Sequence, residues 1–109
     1  MVAKEVIVEL AEMVFGMKQE GDSLNFTYKG TIGGYQPDHE PRDAALTIGY
    51  MQERGFTTFH IEQAAGGKWS VYFMKPEWGK ESSDWKDALV YAAINAHIER
   101  EKEKMAQGV

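Results

Sequence analysis

The stretch that decides the fold is FTTFHIEQAAGGKWSVYFM, residues 56–74, in which apolar and polar side chains alternate in two separate runs. Alternation with a period of two is typical of half-buried β-strands. A short connection that contains two glycines, residues 64–67, joins the runs, so the stretch predicts a β-hairpin. One face of this hairpin is predicted to point inward with its aromatic and aliphatic side chains: Phe59, Ile61, Trp69, Val71 and Phe73.

A third strand is predicted before the hairpin. Residues Leu24–Tyr28 also alternate between apolar and polar, and we expect them to extend the sheet of the hairpin. The glycine-rich residues 30–34 lack the spacing of a phosphate-binding loop, so they are predicted to be a flexible connection. Residues 75–82 combine proline, glycine and charged side chains, and they are predicted to be a loop.

Two helices are predicted from apolar residues that recur at intervals of three and four. The first runs from Val2 to about Lys18–Glu20, where a Gly-Asp-Ser cluster follows. The second covers Arg42–Arg54, with Pro41 in the position that favours a helix start and Gly55 as the C-terminal stop.

A last helix is predicted to begin at a serine cap, Ser82 or Ser83, and to carry Ala92 and Ala93 on its apolar stripe. A charged tail at about residues 99–109 should be solvated. The whole order is helix, strand, helix, strand, strand, helix in a single domain over residues 1–109. This order predicts an α+β fold with a small sheet built on the hairpin and packed by helices, and a three-layer α/β/α sandwich is the alternative.

Composition and charge exclude several classes of protein. The 109 residues carry a formal net charge of −5 and no cysteine, which excludes disulfides and cysteine chemistry and gives no sign of an oxidising compartment. No basic patch is present, so direct nucleic-acid binding is not expected. No run is apolar enough for a signal peptide or a membrane span. We therefore predict a protein of the host-cell cytoplasm with no membrane partner.

No catalytic or metal-binding pattern stands out. The three histidines, His39, His60 and His97, lack the spacing of a metal motif, although His60 and Glu62 should share one strand face. The serines do not lie in a nucleophile elbow. We therefore predict that the protein is not an enzyme and that it has no catalytic residues, metal site or cofactor.

Two loop aromatics and several charged residues are the candidate binding residues. Trp78 lies beside Gly79 in a polar loop, so its ring either anchors a partner or folds back over the sheet edge to cap the core. Tyr35, in the other long loop, allows the same two interpretations. The anchor interpretation gives the candidate partner-binding set Trp78, Tyr35, Asp38, Glu40, Asp43 and Lys75.

Three motifs together carry a resemblance to a known family. They are the ELAEMVFGM stretch at residues 9–17, the Gln36-Pro37-Asp38 entry to the second helix, and WSVYF at residues 69–73 followed by Ala92-Ala93. This pattern resembles the small phage ABA-sandwich proteins, although Met17 stands where that family has tryptophan. The resemblance implies a phage or prophage origin and a layered helix–sheet architecture, and the family has no established activity to transfer.

The expected function follows from these observations and the resemblance. We predict a non-enzymatic phage or prophage accessory protein that binds a host or phage protein, with a host-defence system such as a CRISPR effector as the target. Acidic residues of the first half would meet a basic surface of that partner. The alternative is a protein that sequesters a nucleotide signal between protomers, for which Lys75, Lys80, Trp78 and Tyr35 would have to converge. Oligomeric state is not predicted.

Overall fold

The predicted hairpin is the centre of one of two three-stranded antiparallel sheets in the computed structural model, which describes residues 1–108. In chain order the elements are helix α1 (Lys4–Glu9), a π-helical turn (Leu10–Val14), strands β1 (Lys18–Gln19), β2 (Asn25–Tyr28) and β3 (Thr31–Gly34), helix α2 (Pro41–Glu53), strands β4 (Phe59–Gln63) and β5 (Trp69–Phe73), a 3-10 turn (Pro76–Trp78), strand β6 (Lys80–Ser82) and helix α3 (Trp85–Gln107). This arrangement confirms the predicted α+β class.

The first sheet has the order β1-β2-β3 and is separate from the hairpin. The prediction that Leu24–Tyr28 extends the hairpin sheet is therefore wrong, because β2 finds both of its partners locally. Lys29 and Gly30 have φ angles of +52° and +82°, as a two-residue type I′ turn requires, and they fold β3 back onto β2. Residues 30–34, predicted to be flexible, thus form a turn and an edge strand.

The second sheet, β4-β5-β6, contains the predicted hairpin, in which Phe59 lies opposite Phe73 and Ile61 lies opposite Val71. Helix α3 packs on β5 and β6, and Val71 and Phe73 are fully buried beneath it. The opposite face stays partly open to solvent, as the polar alternation predicts. Residues 75–82 are more ordered than the predicted loop, because a 3-10 turn and β6 add a third strand to the hairpin.

Helix boundaries match the prediction in α2 and differ in the other two helices. The first helix ends in the π-helical turn at Val14, earlier than predicted, because Gly16 with φ +69° turns the chain into β1. Gly55 ends α2 as predicted, with φ +89°. The charged end of α3 is exposed from residue 101 to residue 108, as predicted for a solvated tail, and residue 109 of that prediction lies outside the described residues.

Asp84, rather than Ser82 or Ser83, caps the N-terminus of α3. Its carboxylate accepts a hydrogen bond of 2.7 Å from the backbone N–H of Lys86, and the Ser82 hydroxyl supports the turn by accepting from the N–H of Asp84. Partial desolvation raises the pKa of Asp84, but this backbone bond and the ammonium of Lys86 outweigh it and hold the pKa below its usual value.

We expect Asp84→Ala to destabilise the protein by about 1 kcal/mol, the usual cost of losing an N-cap. Because the folded-state pKa of Asp84 is lowered, its ionic contribution is present above the unfolded pKa and disappears as pH falls through the folded pKa. Asp84→Asn is the matched control, since an amide oxygen also caps but does not titrate. Urea denaturation at pH 7 and pH 3 checks both points, and an Ala variant as stable as the parent would contradict the assignment.

The core is shared by all three helices and both sheets, the first sheet contributing Phe26. Its fully buried side chains come from elements far apart in the chain: Ile7, Leu10, Met51, Val71, Phe73, Leu89 and Val90. The predicted alanine stripe of α3 is also fully buried, and small side chains let this helix approach the sheet closely. No helix within residues 1–108 has both the length and the apolar composition needed to cross a membrane.

Candidate binding surface at strand β3

Trp78 is a core residue in this structure. The indole lies in the 3-10 turn between β5 and β6 and is only 7% exposed, with the ammonium of Lys75 4.8 Å from its ring centroid. Lys75 itself forms an ion pair of 2.9 Å with Glu103, and the hydrogen bond from this partner raises the pKa of Lys75. These contacts support the cap interpretation of Trp78 and not the anchor on an exposed loop.

Tyr35 is also buried, at 4% exposure, and follows β3 in the other half of the fold. Its ring makes edge-on contacts with Phe15 and Phe26, and its hydroxyl is hydrogen-bonded to Thr47. Burial raises the pKa of Tyr35, so the phenol stays neutral at physiological pH. Tyr35 follows a strand of the first sheet, and Trp78 lies in the turn before β6 of the second. Both rings are buried, so neither presents an open face for stacking on a nucleotide, as the nucleotide-binding alternative requires.

The three acidic candidates have different environments. Asp38 is buried and accepts a hydrogen bond of 3.1 Å from the backbone N–H of Val2. Asp43 accepts a bond of 2.9 Å from the N–H of Gln36, which ties the preceding loop to α2. Glu40 is exposed and has no ion pair among residues 1–108. Only Glu40 of the three therefore presents its charge to solvent.

Strand β3 has an open edge whose hydrogen-bonding groups can be assigned. The N–H of Tyr35 donates to the carbonyl of Leu24 at 3.0 Å, and bonded pairs alternate along an antiparallel ladder. In the register of β2 and β3, Thr31 and Gly33 therefore bond to β2. The N–H and C=O groups of Ile32 and Gly34 point to the open edge, where no strand within the described chain pairs with them.

Strand β3 itself has no charged side chain and is partly apolar. All four residues of β3 are exposed, and the Ile32 side chain is 66% exposed. A shallow, largely apolar depression on the outer side of α2 lies nearby, lined by Ala45, Leu46, Gly49 and Tyr50 together with the charged Arg42 and Glu53. Natural sheets usually protect an open edge with lysine, proline or a bulge. None of these devices occurs within Thr31–Gly34.

A cavity that is partly open to solvent lies against the inward face of β3. It has a volume of about 150 Å³ and is lined by Met17, Phe26, Tyr28, Thr31, Gly33, Gly34, Tyr35 and Tyr50. Gly33 stands directly opposite Phe26 on this face, and a Cβ placed on Gly33 would meet no atom within 4 Å. The missing side chain of Gly33 therefore leaves this space open. Tyr50 lines both the cavity and the depression on α2, which places the two side by side.

Aromatic rings form most of the cavity wall and hold each other in place. Tyr28 and Tyr50 meet edge to face with centroids 5.2 Å apart, and Tyr50 meets Phe15 at 5.3 Å behind the wall. Burial raises the pKa of Tyr50, so this phenol is neutral as well. Arg54 fixes the cluster, because its guanidinium donates to the hydroxyl of Tyr28 and to the carbonyl of Phe15, both at 3.1 Å.

Neither a metal site in the described residues nor a known relative indicates what this surface binds. Within residues 1–108, no group of three or more His, Asp or Glu side chains is arranged to hold a metal ion. The predicted pair His60 and Glu62 does share a strand face, with nitrogen and oxygen 3.1 Å apart, but it has no third ligand. No protein-family model matches the chain, and no curated protein or solved structure matches it either.

Proposed function

We propose that the protein is a non-enzymatic accessory protein of a phage or prophage, acting in the host cytoplasm by binding a macromolecular partner. We further propose that this partner belongs to a host-defence system such as a CRISPR effector. The phage setting rests on the sequence resemblance given above. The binding role rests on one observation, the uncharged open edge of β3 with its exposed Ile32.

The proposed binding mode is addition of a partner strand to β3. An extended segment can form main-chain hydrogen bonds with the outward groups of Ile32 and Gly34, which supply affinity with little dependence on sequence. Ile32 and the apolar depression on α2 would add side-chain contacts on either side of that segment. An unprotected edge favours this mode, because pairing satisfies backbone groups that are otherwise left to water.

The exposed acidic residues of the first half favour a partner with a basic surface. Glu9, Glu12 and Glu40 are all exposed, and the whole chain has a net charge of −5. Acidic residues steer a basic partner and speed its association, and this effect weakens as salt increases. A nucleic-acid-binding surface of a defence complex has the required charge, and binding there would compete with its nucleic acid.

Ile32→Pro is expected to abolish partner binding without unfolding the protein. Proline removes the N–H that faces the open edge but no bond between β2 and β3, and proline is tolerated at this kind of edge position. Ile32→Ala separates the backbone effect from the side-chain effect. Gln63→Pro is the matched control, because the same change falls on the open edge of β4 in the other sheet.

The measurement is affinity purification of each variant from phage-infected bacteria, with quantification of any stoichiometric partner. We expect the parent and Gln63→Pro to retain the partner and Ile32→Pro to lose it. The inhibitory role is checked by the plating efficiency of a targeted phage on hosts with an active CRISPR system, which the parent should raise. Equal retention by both proline variants, or no stoichiometric partner for the parent, would contradict the proposal.

The nucleotide-sequestering alternative has less support from the geometry. Its predicted donors Lys75 and Lys80 lie in and before strand β6 of the second sheet, and the two rings that should stack on the base, Tyr35 and Trp78, are buried. The aromatic cavity of about 150 Å³ is smaller than the roughly 300–1,000 Å³ of typical small-molecule sites. This cavity has room for one ring but not for a whole nucleotide.

A further inference from the structure

We infer that the cavity beneath Gly33 is a receptor for one neutral aromatic ring, carried on the partner segment that pairs with β3. This inference deepens the proposed function and rests on it. It assigns the side chain that the partner must place opposite Gly33, whereas strand pairing alone leaves the partner's sequence open.

The size of the cavity fits a single ring. A cavity of about 150 Å³ lined by apolar side chains is known to take a benzene-sized ligand, and the volume here is also about 150 Å³. The walls are fixed by aromatic contacts with centroid distances of 5.2 to 6.3 Å. Another ring inside this cluster can make the same edge-to-face contacts, which aromatic pairs prefer. The space is therefore suited in both volume and surface to an aromatic group.

The charges around the wall argue against a cationic ligand, which aromatic cages otherwise favour. The guanidinium of Arg54 is hydrogen-bonded to the hydroxyl of Tyr28, and it has no carboxylate ion pair in the described part of the chain. The ammonium of Lys29 lies 5.2 Å from the centroid of the same tyrosine ring and pairs with the carboxylate of Glu53 at 3.9 Å. The charge of Lys29 is thus compensated, and the guanidinium of Arg54 would repel a cation at this wall, so a neutral ring is the better ligand.

Pairing of a partner strand with β3 would place one of the partner's side chains at the cavity. Cross-strand neighbours point to the same face of a sheet, so a partner residue opposite Gly33 would point to the inward face, where the cavity lies. An aromatic side chain placed across from a strand glycine covers the gap that the glycine leaves. A second copy of β3 would not do this, because the symmetric antiparallel registers place Thr31, Gly33 or Tyr35 opposite Gly33, and the only aromatic ring among these, that of Tyr35, is already buried.

The first test uses toluene and p-cresol, which represent the side chains of phenylalanine and tyrosine, and tetramethylammonium as the cationic probe. Amide NMR spectra should show saturable shifts at Gly33 and Gly34 with the two rings, and no comparable shift with tetramethylammonium. Gly33→Val should weaken ring binding about tenfold or more, because the valine occupies the cavity. The variant should melt no lower than the parent, since valine favours strands and the site has room.

Gly66→Val is the matched control, because Gly66 lies in the turn between β4 and β5, lines no part of the cavity and also has room for a Cβ, so the same change there should leave ring binding intact. Equal toluene affinity in the parent and Gly33→Val would overturn the inference. So would tighter binding of tetramethylammonium than of toluene.

The second test establishes the source of the ring with a seven-residue peptide of alternating threonine and lysine that has a central phenylalanine or a central alanine. We expect the phenylalanine peptide to bind about tenfold or more tightly than the alanine peptide. Ile32→Pro should abolish peptide binding but leave toluene binding unchanged, whereas Gly33→Val should weaken both. Unchanged peptide affinity in Ile32→Pro would overturn delivery by strand pairing and assign the site to a free aromatic molecule.

The proposed function and the ring receptor can be contradicted independently of each other. Loss of ring binding in a protein that still captures its partner through the β3 edge overturns only the ring receptor. Ring binding in a protein that captures no partner overturns only the proposed function.

Discussion

Val71→Asp is expected to abolish the cooperative unfolding transition of this protein. Val71 is fully buried at the centre of β5, beneath α3, and an aspartate there would place an unpaired charge in the core. Such changes cost more than about 4–5 kcal/mol, which is close to the whole stability of a domain of this size. Thermal and urea melts followed by circular dichroism should show a flat or strongly broadened transition.

Ile61→Asp is the matched control for this experiment. Ile61 is the cross-strand neighbour of Val71 on the same face, but it is 39% exposed, so the new carboxylate can keep much of its hydration. We expect this variant to unfold cooperatively with a smaller loss of stability. A Val71→Asp protein that melts like the parent would mean that the inward face of the hairpin is assigned wrongly.

Trp78→Ala is expected to destabilise the protein by about 3 kcal/mol or more and to lower the melting temperature by more than about 10 °C. The indole is buried in a 3-10 turn that contacts β5 and α3, and its removal would leave unfilled space in the core. Calorimetry measures both quantities. Any loss of partner binding in this variant should follow the loss of folded protein.

Trp78→Phe is the control for the size of the ring, because it keeps an aromatic group in the same space and should cost much less. Lys75→Ala removes the cation above the ring and its exposed ion pair with Glu103. We expect this change to lower the free energy of unfolding by about 1 kcal/mol or less. Surface changes usually cost under about 0.5 kcal/mol. If Trp78→Ala melts within about two or three degrees of the parent, Trp78 should again be interpreted as an exposed anchor.

Elements with a clear period were predictable from the sequence. The hairpin of Phe59–Gln63 and Trp69–Phe73 follows from side-chain alternation, and α2 follows from an apolar stripe bounded by Pro41 and Gly55. These signals are local, since each depends on residues within one or two turns or strands. The packing of the hairpin against α3 follows in the same way, because only one face of each element is apolar.

Strand β3 escaped prediction because its residues have almost no strand signal. Two of its four residues are glycines, and glycine is depleted in strands. The turn before it, Lys29 and Gly30, lacks the Asn-Gly or Asp-Gly pair that usually marks a type I′ hairpin. The only sequence signal was the final glycine of that turn, which a loop explains equally well.

The candidate site could not be read from the sequence for a related reason. The cavity exists because Gly33 has no side chain, and its walls come from α2, β2 and the segment after the π-helical turn. Tyr35 and Trp78 were singled out as unusual aromatics in loops, yet both are buried by residues distant in the chain. Burial of this kind is a property of the assembled fold, and periodicity within a segment does not report it.

The central position of α3 has a consequence for how the protein folds during synthesis. The fully buried Ala88, Leu89, Ala92 and Ala93 belong to α3, which is synthesised after every other helix and strand described here, and they pack against those earlier elements. The guanidinium of Arg100 also bonds to the carbonyls of Arg54 and Gly55, 46 and 45 residues earlier in the chain. The earlier elements therefore lack their central packing partner while they emerge, and native packing is completed only after α3 has left the exit tunnel.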